Sequence, residues 1–284
     1  PVEFGGNPND TLDDTQAIQA AYNSIPVSIA TGTGGGILFL PKGRWKVGKD
    51  SVGLVFDKPF ITVQGEGQNA TEIYSTDSGA SLVHFTGGTG VGIVRNFNCA
   101  LRDIKIIETS GKRWESLLHI ENLSEFAMSS VRVDAGYGTR AMRVESSLNL
   151  NLWNCEFSGA SYAVDIFKRN PGTPLDGEAA PNNINILGGT IKSASVWGLR
   201  FRNGELLKLT GIDVSANGSA DDSAHGGIFI DSAGQEVGQG WCAVIENGWF
   251  EANRGTVIRV GRHSYAPGGT LIRGCSSAAA TAQY

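Results

Sequence analysis

The sequence predicts an all-β fold, a parallel β-helix in which the chain winds into about eight to ten stacked coils behind a short N-terminal capping α-helix. Three observations predict it. Short apolar strands recur from residue 52 onward at a spacing of about 22 to 35 residues, a range typical of solenoid coils. Glycine accounts for 39 of the 284 residues, about twice the usual share, and marks turns. No segment beyond the N-terminal head keeps a helical period.

A short helix is predicted close to the N-terminus. Asp13 or Asp14 can cap it, and Asp13 stands at capping-box spacing from Gln16. Pro26 lies just past the predicted end. The apolar face of the helix comprises Ala17, Ile18, Ala21 and Tyr22. A helix in this place covers the strand edges that the first coil of a solenoid would otherwise expose.

Two strands are predicted after this helix. Residues 37–40, Ile-Leu-Phe-Leu, form a continuous apolar run, which predicts a strand covered on both faces. Pro41 ends that strand because proline has no N–H to donate. Residues 44–47, Arg-Trp-Lys-Val, alternate as a second strand does. We therefore expect one domain over residues 1–284, with a head at 1–50 and coils at 51–284.

Two series of strands can be followed through the coils, and each predicts one parallel sheet. The first series comprises residues 118–120, 142–144, 164–166, 199–201, 228–230 and 257–260. The second series comprises residues 129–133, 154–157, 188–191, 211–214, 247–250 and 273–276. An antiparallel sandwich or barrel is the alternative fold, but the short Asn-Gly hairpins typical of it are not evident at regular spacing.

Inserts interrupt the predicted coils in three places. The two long ones lie at residues 168–183 and 217–227, and a shorter one lies at 111–115. Long loops on a rigid scaffold often carry function. We therefore expect the two long inserts to wall a groove.

The N-terminal quarter of the chain also carries a family resemblance. Phe-Gly-Gly at 4–6, the helix at 13–21, the strand pair at 34–47 and the segments at 61–67 and 70–73 resemble the head of pectate-lyase-like right-handed parallel β-helices. The usual glycine-aspartate-glycine turn is replaced here by Asn-Pro-Asn-Asp at 7–10. The resemblance implies a right-handed coil. It implies no single reaction, because that family includes lyases, hydrolases, epimerases and phage tailspikes.

Composition narrows the functional classes. The chain has 23 basic and 28 acidic residues, a net charge of −5, so we expect neither nucleic acid nor an anionic membrane surface as a partner. No apolar run approaches the length of a membrane span, so no membrane insertion is expected. The four cysteines lack metal-binding spacing and predict free, buried thiols. The four histidines are scattered and are interpreted as structural or solvent-facing, so we expect no metal and no cofactor.

Carboxylates are the candidate chemical groups. In the second series Glu156, Asp213 and Trp249 stand between apolar neighbours that should point inward, so these three side chains should point outward. Glu246 and Glu251 lie beside Trp249 in the chain. Glycoside hydrolysis needs one acid to protonate the leaving oxygen and a second carboxylate to activate water or attack the sugar, and an exposed indole can stack on the ring. The candidate catalytic residues are therefore Asp213, Glu246 and Glu251.

Further residues are candidates for contact with a glycan. The candidate substrate-binding residues are Trp249, Glu156, Asp165, Asp231, Trp153 and Arg200. Asn154, Asn217, Asn247 and Asn253 recur at matched positions, either to bind sugars or, as we favour, to close the turns as an asparagine ladder. With 28 acidic residues on a solenoid surface, neighbouring carboxylates also arise by chance.

Three segments resemble parts of phage tailspike depolymerases: Trp-Phe-Glu-Ala-Asn at 249–253, Gly-Ile-Asp-Val-Ser-Ala-Asn-Gly at 211–218 and Gly-Gly-Ile-Phe-Ile at 226–230. This resemblance implies an endo-glycosidase acting on a bacterial surface polysaccharide, with Asp213 and Glu251 carried over most directly and Glu246 by proximity. It also implies a homotrimer located in a phage tail or outside the cell.

Two other functions stay open: a secreted polysaccharide lyase, and a fibre or adhesin that binds glycan without cleaving it. The Tyr-Gly-Phe-Asp-Pro-His run of family epimerases is absent from the sequence, and so is the Gly-His-Gly run of family polygalacturonases. Those two reactions are therefore not favoured.

Overall fold

The computed structural model describes residues 1–28, 33–87, 96–109, 111, 113–136, 138–168, 180–231, 242–261 and 269–278. Within them lie one α-helix, α1 (Thr15–Asn23), and two 3-10 helices, at Val2–Phe4 and Lys49–Ser51. The strands β1 (Val27–Ser28) and β2 (Thr33–Gly34) form an antiparallel pair. The remaining described strands pair in parallel as a right-handed β-helix, as predicted.

Each full coil contributes one strand to each of three faces. Face A comprises β3 (Gly36–Phe39), β6 (Ile61–Gln64), the first half of β9 (Asn96–Glu108), the first half of β11 (Leu123–Ala135), β13 (Leu148–Trp153), β16 (Asn182–Leu187), β19 (Leu206–Thr210), β22 (Cys242–Glu246) and β25 (Gly269–Arg273). Face B comprises β4 (Gly43–Lys46), β7 (Thr71–Ser75), the second halves of β9 and β11, β14 (Glu156–Gly159), β17 (Thr190–Lys192), β20 (Asp213–Ser215), β23 (Trp249–Glu251) and β26 (Ser276–Ala278).

Face C comprises β5 (Leu54–Phe56), β8 (Gly79–Thr86), β10 (Trp114–Glu121), β12 (Arg140–Glu145), β15 (Tyr162–Phe167), β18 (Trp197–Arg202), β21 (Gly226–Asp231) and β24 (Thr256–Val260). It is a separate eight-stranded sheet. Faces A and B form one 16-stranded sheet because β9 and β11 run through the corner between them.

Both predicted series are confirmed by the strand register. The first series is face C, where Leu118, Met142 and Val164 lie opposite one another on successive strands and are fully buried. The second series is face B, except that its last member slips by one residue, because Trp249 lies opposite Ser276. Alternate residues point into the coil, so each strand buries one apolar row and presents the other row outward.

The corner between faces A and B depends on left-handed backbone. The residues at this corner in five successive coils have φ between 50° and 66°: Asn154, Gly188, Gly211, Asn247 and Gly274. Glycine and asparagine adopt this conformation at the least steric cost. The corner explains two of the recurring asparagines without a ligand.

A second pair of asparagines is also structural. Asn217 is buried, and its Nδ2 donates to Oδ1 of Asn253 on the next coil at 3.0 Å. Its Oδ1 accepts the backbone N–H of Ala194, and Asn253 donates to the carbonyl of Val214. These contacts match the favoured asparagine-ladder interpretation, because each amide satisfies backbone groups at a turn.

The helix α1 covers the first coil. Ile18 and Tyr22 are buried, and the Tyr22 ring meets Phe56 of β5 edge-on at 5.1 Å between centroids. Oδ1 of Asp13 accepts the backbone N–H of Thr15 at 3.0 Å, as one of the two predicted caps. Asp14 occupies the N-cap position but instead accepts the backbone N–H of Asn7.

One prediction for the head is wrong. The strand over 37–40 is not covered on both faces: Ile37 is 61% exposed and Phe39 is 45% exposed, whereas Leu38 and Leu40 are buried. A coil of a β-helix has a single interior, so an apolar run in it still alternates inward and outward. The four cysteines are free, Cys99 and Cys155 are buried, and Cys242 and Cys275 are partly buried.

Candidate functional site

The candidate catalytic carboxylates lie on either side of the corner between faces A and B. Asp213 starts β20 and lies directly opposite Trp249 of β23, while Glu251 lies opposite Ser215. Glu246 ends β22 on face A, immediately before the corner residue Asn247. We call Asp213, Glu246, Trp249 and Glu251 the Trp249 patch. The patch joins two successive coils, because the β20 coil directly precedes the β23 coil.

Asp213 has an unusual environment within the patch. Its Oδ1 is shielded from solvent and has no hydrogen-bond partner among the described residues. The hydroxyl of Thr210, across the corner on the same coil, is likewise buried and unpartnered there. A buried polar atom with no partner is costly, and such atoms need an explanation such as a catalytic or ligand-binding role.

Trp249 and Glu251 form the exposed part of the patch. Trp249 is 45% exposed, and its indole N–H donates to Oε2 of Glu251 at 3.2 Å. The register sets Asp213 one strand and two residues away from Glu251. With a strand spacing of about 4.8 Å and a rise of about 3.3 Å per residue, the two Cα atoms are about 8 Å apart. Two carboxylic side chains at this spacing can reach opposite sides of one sugar linkage.

Glu246 is held by a cation. Arg273 on the next coil donates to Oε1 of Glu246 from Nε at 2.6 Å, and Arg273 itself is largely exposed. Trp153 lies in the same outward row as Glu246, three coils earlier, through Leu187 and Thr210. This row runs along the corner between faces A and B. Trp153 lies in the row and Trp249 lies just across the corner, and both indoles are partly exposed.

Glu156 lies in the same outward row as Asp213 but is more strongly paired. The coil of Thr190 separates the two residues, so they are not on successive coils. Lys192 lies 2.7 Å from Oε1 of Glu156, and Arg132 lies 3.6 Å from it. The carboxylate of Glu156 is therefore paired with a positively charged side chain on each neighbouring coil.

Face C carries a second set of charged side chains in two outward rows. One row comprises His84, His119, Arg143, Asp165, Arg200, Phe229 and Arg259. The other comprises Thr86, Glu121, Glu145, Phe167, Arg202 and Asp231. We call these two rows the face C ladder. The predicted residues Asp165, Arg200 and Asp231 belong to it, so the predicted binding residues divide between two surfaces.

Asp165 is the buried centre of this ladder. It is 0% exposed, and its carboxylate accepts hydrogen bonds from Arg200 at 2.8 Å and from Arg140 at 2.7 Å, with Arg202 at 3.8 Å. Burial acts to raise the pKa of Asp165, but the hydrogen bonds and charge of Arg200, together with Arg140, outweigh it and hold the pKa below its ordinary value. As placed, Asp165 orients arginines and presents no surface to a glycan.

Aromatic rings complete the arginine arrangement. The guanidinium of Arg200 lies over the Tyr162 ring at 3.7 Å from its centroid, and that of Arg202 lies over the Phe167 ring at 4.9 Å. Asp231 lies opposite Arg202 on the next strand. Arg200, Arg202 and Asp231 are partly exposed, so a ligand can reach them.

The structure also brings together three residues that sequence reasoning did not combine. His84 and His119 lie opposite each other on β8 and β10, with their rings stacked at 4.3 Å, and Nε2 of His84 is 2.8 Å from Oε2 of Glu121. The signal was present, because Val83-His84-Phe85 is one more member of the first strand series, one coil before Leu118-His119-Ile120. His225 contacts Asp222 at 2.6 Å on a loop, and His263 lies outside the described residues.

Each of the two long inserts is joined in the chain to a face C strand. The first insert follows β15 and precedes β16, and its residues 169–179 lie outside the described part. The second joins β20 to β21, and its last two residues, 226 and 227, belong to β21. Both loops therefore connect to face C strands, and the predicted groove between them involves residues outside the described part. No helix in the described residues has the length and apolar character that a membrane span needs.

No protein-family model and no curated protein matches this chain. Among solved structures, the chain is similar to ORF18 of Geobacillus virus E2, at 18% identity and a TM-score of 0.61, covering 97% of this chain and 52% of that one. It is similar to the surface adhesin PfbA of Streptococcus pneumoniae, at 14% identity and a TM-score of 0.60, covering 97% and 76%. It is also similar to a mutant tailspike protein of E. coli bacteriophage HK620, at 12% identity and a TM-score of 0.56, covering 95% and 54%.

The chain has a parallel β-helix fold, which it shares with these structures. The resemblance that the head motifs carry is thereby confirmed at the level of the fold, which phage tailspikes share. The chain spans about half the length of the viral ORF18 and of the HK620 tailspike protein.

Proposed function

We propose that this protein binds and cleaves a bacterial surface polysaccharide as an endo-glycosidase, with the Trp249 patch as its active site. The observation that carries the proposal is the shielded Oδ1 of Asp213, which has no hydrogen-bond partner in the described part of the chain. Asp213 lies opposite the exposed Trp249, and its Cα is about 8 Å from that of Glu251. This combination offers two carboxylic groups that point outward from one sheet and an apolar platform for a sugar ring.

The two carboxylic groups suit different roles. Asp213 acts as the general acid, because it points outward beside Trp249 and can reach the leaving oxygen of a sugar stacked on that indole. Glu251 acts as the general base on a water molecule, because the indole N–H of Trp249 donates to it and holds it as an acceptor. Their offset of one strand and two residues leaves room for that water, which favours inversion of the anomeric centre.

The remaining predicted residues have supporting roles in this proposal. Glu246, held by Arg273, is the third carboxylate of the patch and hydrogen-bonds sugar hydroxyls. Trp153, three coils away in the row of Glu246, extends the aromatic surface along the corner. Arg200 and Asp231 contact glycan on face C, Asp165 positions Arg200, and Glu156 positions Lys192 near the corner.

A product assay across a panel of bacterial polysaccharides tests the proposal. New reducing ends without an unsaturated product are expected, and inversion is read from the first anomer that NMR detects. An ultraviolet-absorbing unsaturated sugar would identify a lyase instead. Glycan binding with no new reducing ends on the whole panel would identify a non-catalytic fibre or adhesin.

We also propose that the protein acts outside the bacterial cell as part of a phage tail and assembles as a homotrimer. The tailspike resemblance at residues 211–218, 226–230 and 249–253 supports this proposal. Light scattering on the full-length gene product is expected to give three times the monomer mass. A monomer at all concentrations would contradict it.

A further inference from the structure

We propose that His84, His119 and Glu121 form a Zn²⁺ site that ties the coil of β8 to the coil of β10. One ligand atom from each of the three side chains lies within 4.8 Å of the other two. The site is independent of the Trp249 patch, because it lies on face C near the N-terminal end of the coils.

The strand register builds this cluster. His84 and His119 face each other on adjacent parallel strands, and Glu121 follows His119 by two residues, so all three point outward from the same sheet. Side chains on a rigid sheet keep their spacing, which is a requirement for a metal site. His119 and Glu121 are largely buried, and His84 is partly buried.

One nitrogen of the cluster is unused. Nε2 of His119 is buried and has no hydrogen-bond partner among the described residues, with Oε1 of Glu145 at 3.6 Å. The opposite ring nitrogen, Nδ1, lies 3.2 Å from the hydroxyl of Ser81. A histidine that ligates a metal through one nitrogen and hydrogen-bonds through the other has this arrangement.

The charge around the cluster suits a cation. The facing charged groups are Glu121 and Glu145, with Arg143 as the nearest cation, so the local charge favours a divalent cation.

The donor set suits zinc better than an alkaline-earth ion. Two imidazole nitrogens and one carboxylate oxygen suit Zn²⁺, whereas Ca²⁺ and Mg²⁺ take oxygen ligands. Ligand atoms around tetrahedral zinc are about 3.3 Å apart, from bond lengths of about 2.0–2.1 Å. Nε2 of His84 and Oε2 of Glu121, now 2.8 Å apart, have to open by about half an ångström. The rings of His84 and His119, now stacked, have to turn so that their lone pairs converge on one ion. The fourth position is left for water.

Metal analysis of the untagged, full-length chain tests this proposal. The protein is stripped with a chelator, equilibrated with Zn²⁺ in the presence of excess Mg²⁺, dialysed and analysed for zinc. One zinc per chain is expected, together with a rise of roughly 5–10 °C in the melting temperature at saturating zinc. Substituting Co²⁺ is expected to give the intense visible absorption of a four-coordinate ion.

Three variants decide whether zinc occupies this site. His84→Ala and the isosteric Glu121→Gln are each expected to lower zinc affinity at least about tenfold, while His225→Ala, in the contact with Asp222, leaves it unchanged. His84 is partly exposed, so its variant remains informative if a variant of buried His119 does not fold. The proposal is overturned if the wild-type chain retains no zinc. It is also overturned if His84→Ala and Glu121→Gln each retain as much zinc as the wild-type chain does.

Discussion

The Trp249 patch and the face C ladder have the same construction and opposite electrostatic outcomes. In both, outward residues of parallel strands stack in rows across successive coils. Asp165 on face C is fully buried beneath Arg140 and Arg200. Asp213 in the patch has a shielded oxygen with no partner in the described part of the chain. An outward carboxylate is therefore not a site by position alone, because the neighbouring coils decide whether it is neutralised.

The composition of each row explains this difference. On face C the row runs His119, Arg143, Asp165 and Arg200, so Asp165 has a cation on the strand to either side, about 4.8 Å away. On face B, Asp213 lies between Thr190 and Trp249, and neither brings a positive charge. Opposite charges on directly opposed strands attract, so the neighbours of Asp165 in its row neutralise it, whereas those of Asp213 do not.

The largest expected effect separates the two surfaces by catalysis. Asp213→Asn and Glu251→Gln should each lower turnover by about 10²–10⁴, because each removes a proton-transfer group. Initial rates on the cognate polysaccharide, with thermal melts, measure this loss. Glu125→Gln, an exposed acid on face A, is the matched control and should keep full activity. If Arg202→Gln abolished turnover and the two patch variants kept more than about a tenth of it, the reaction would belong to face C.

The next effect separates the surfaces by stability. Asp165→Asn should lower the free energy of unfolding by about 3–5 kcal/mol, because it leaves Arg140 and Arg200 without their buried counter-charge. Glu156→Gln weakens a partly exposed ion pair with Lys192 and should lower the free energy of unfolding by less than about 1 kcal/mol. Urea denaturation of both variants gives the comparison. Similar losses in the two would show that burial does not distinguish these carboxylates.

A pH profile sharpens the same contrast at the histidine end of face C. Burial lowers the pKa of His119 from 6.5 to about 4. Between these two pH values His119 is therefore protonated in the unfolded chain and neutral in the folded chain. This residue therefore lowers stability as the pH falls from about 6.5 to about 4, and has no such effect above that window.

His119→Gln removes this contribution. Across that window the wild-type chain should lose more unfolding free energy than the variant does. Denaturation curves at several pH values, recorded with chelator present to exclude metal binding, provide the measurement. Parallel profiles for the two proteins would show that His119 does not resist protonation.

The smallest expected effect concerns substrate affinity in the patch. Trp249→Ala should raise KM by about three- to tenfold and change kcat less, because the exposed indole contributes stacking rather than proton transfer. Trp153→Ala, three coils away, should raise KM by a smaller factor, and more on longer oligosaccharides than on short ones. A larger effect at Trp153 would move the centre of the glycan site along the corner.

Much of the architecture could be predicted from local pattern. In many strands a single His, Asp or Glu stands between two apolar residues, which already indicated which side chains point inward and which point outward. The register confirms this for Asp213 and Trp249. The helix and its buried Ile18 followed from a period that a short window contains. The prediction for Ile37 and Phe39 was wrong because the same apolar run can occur in a sheet covered on both faces and in a coil with a single interior.

The sequence by itself therefore determined the coil, its corner residues and the outward rows, since these depend on alternation and on left-handed turns that a few neighbouring residues specify. Only the tertiary structure decided which outward groups meet. Arg140 and Arg200 lie 25 and 35 residues from Asp165 in the chain, and His84 lies 35 residues before His119, yet each pair is in contact. Coils of unequal length bring such residues together, so the charge environment of each carboxylate depends on loop lengths and strand register that no local pattern contains.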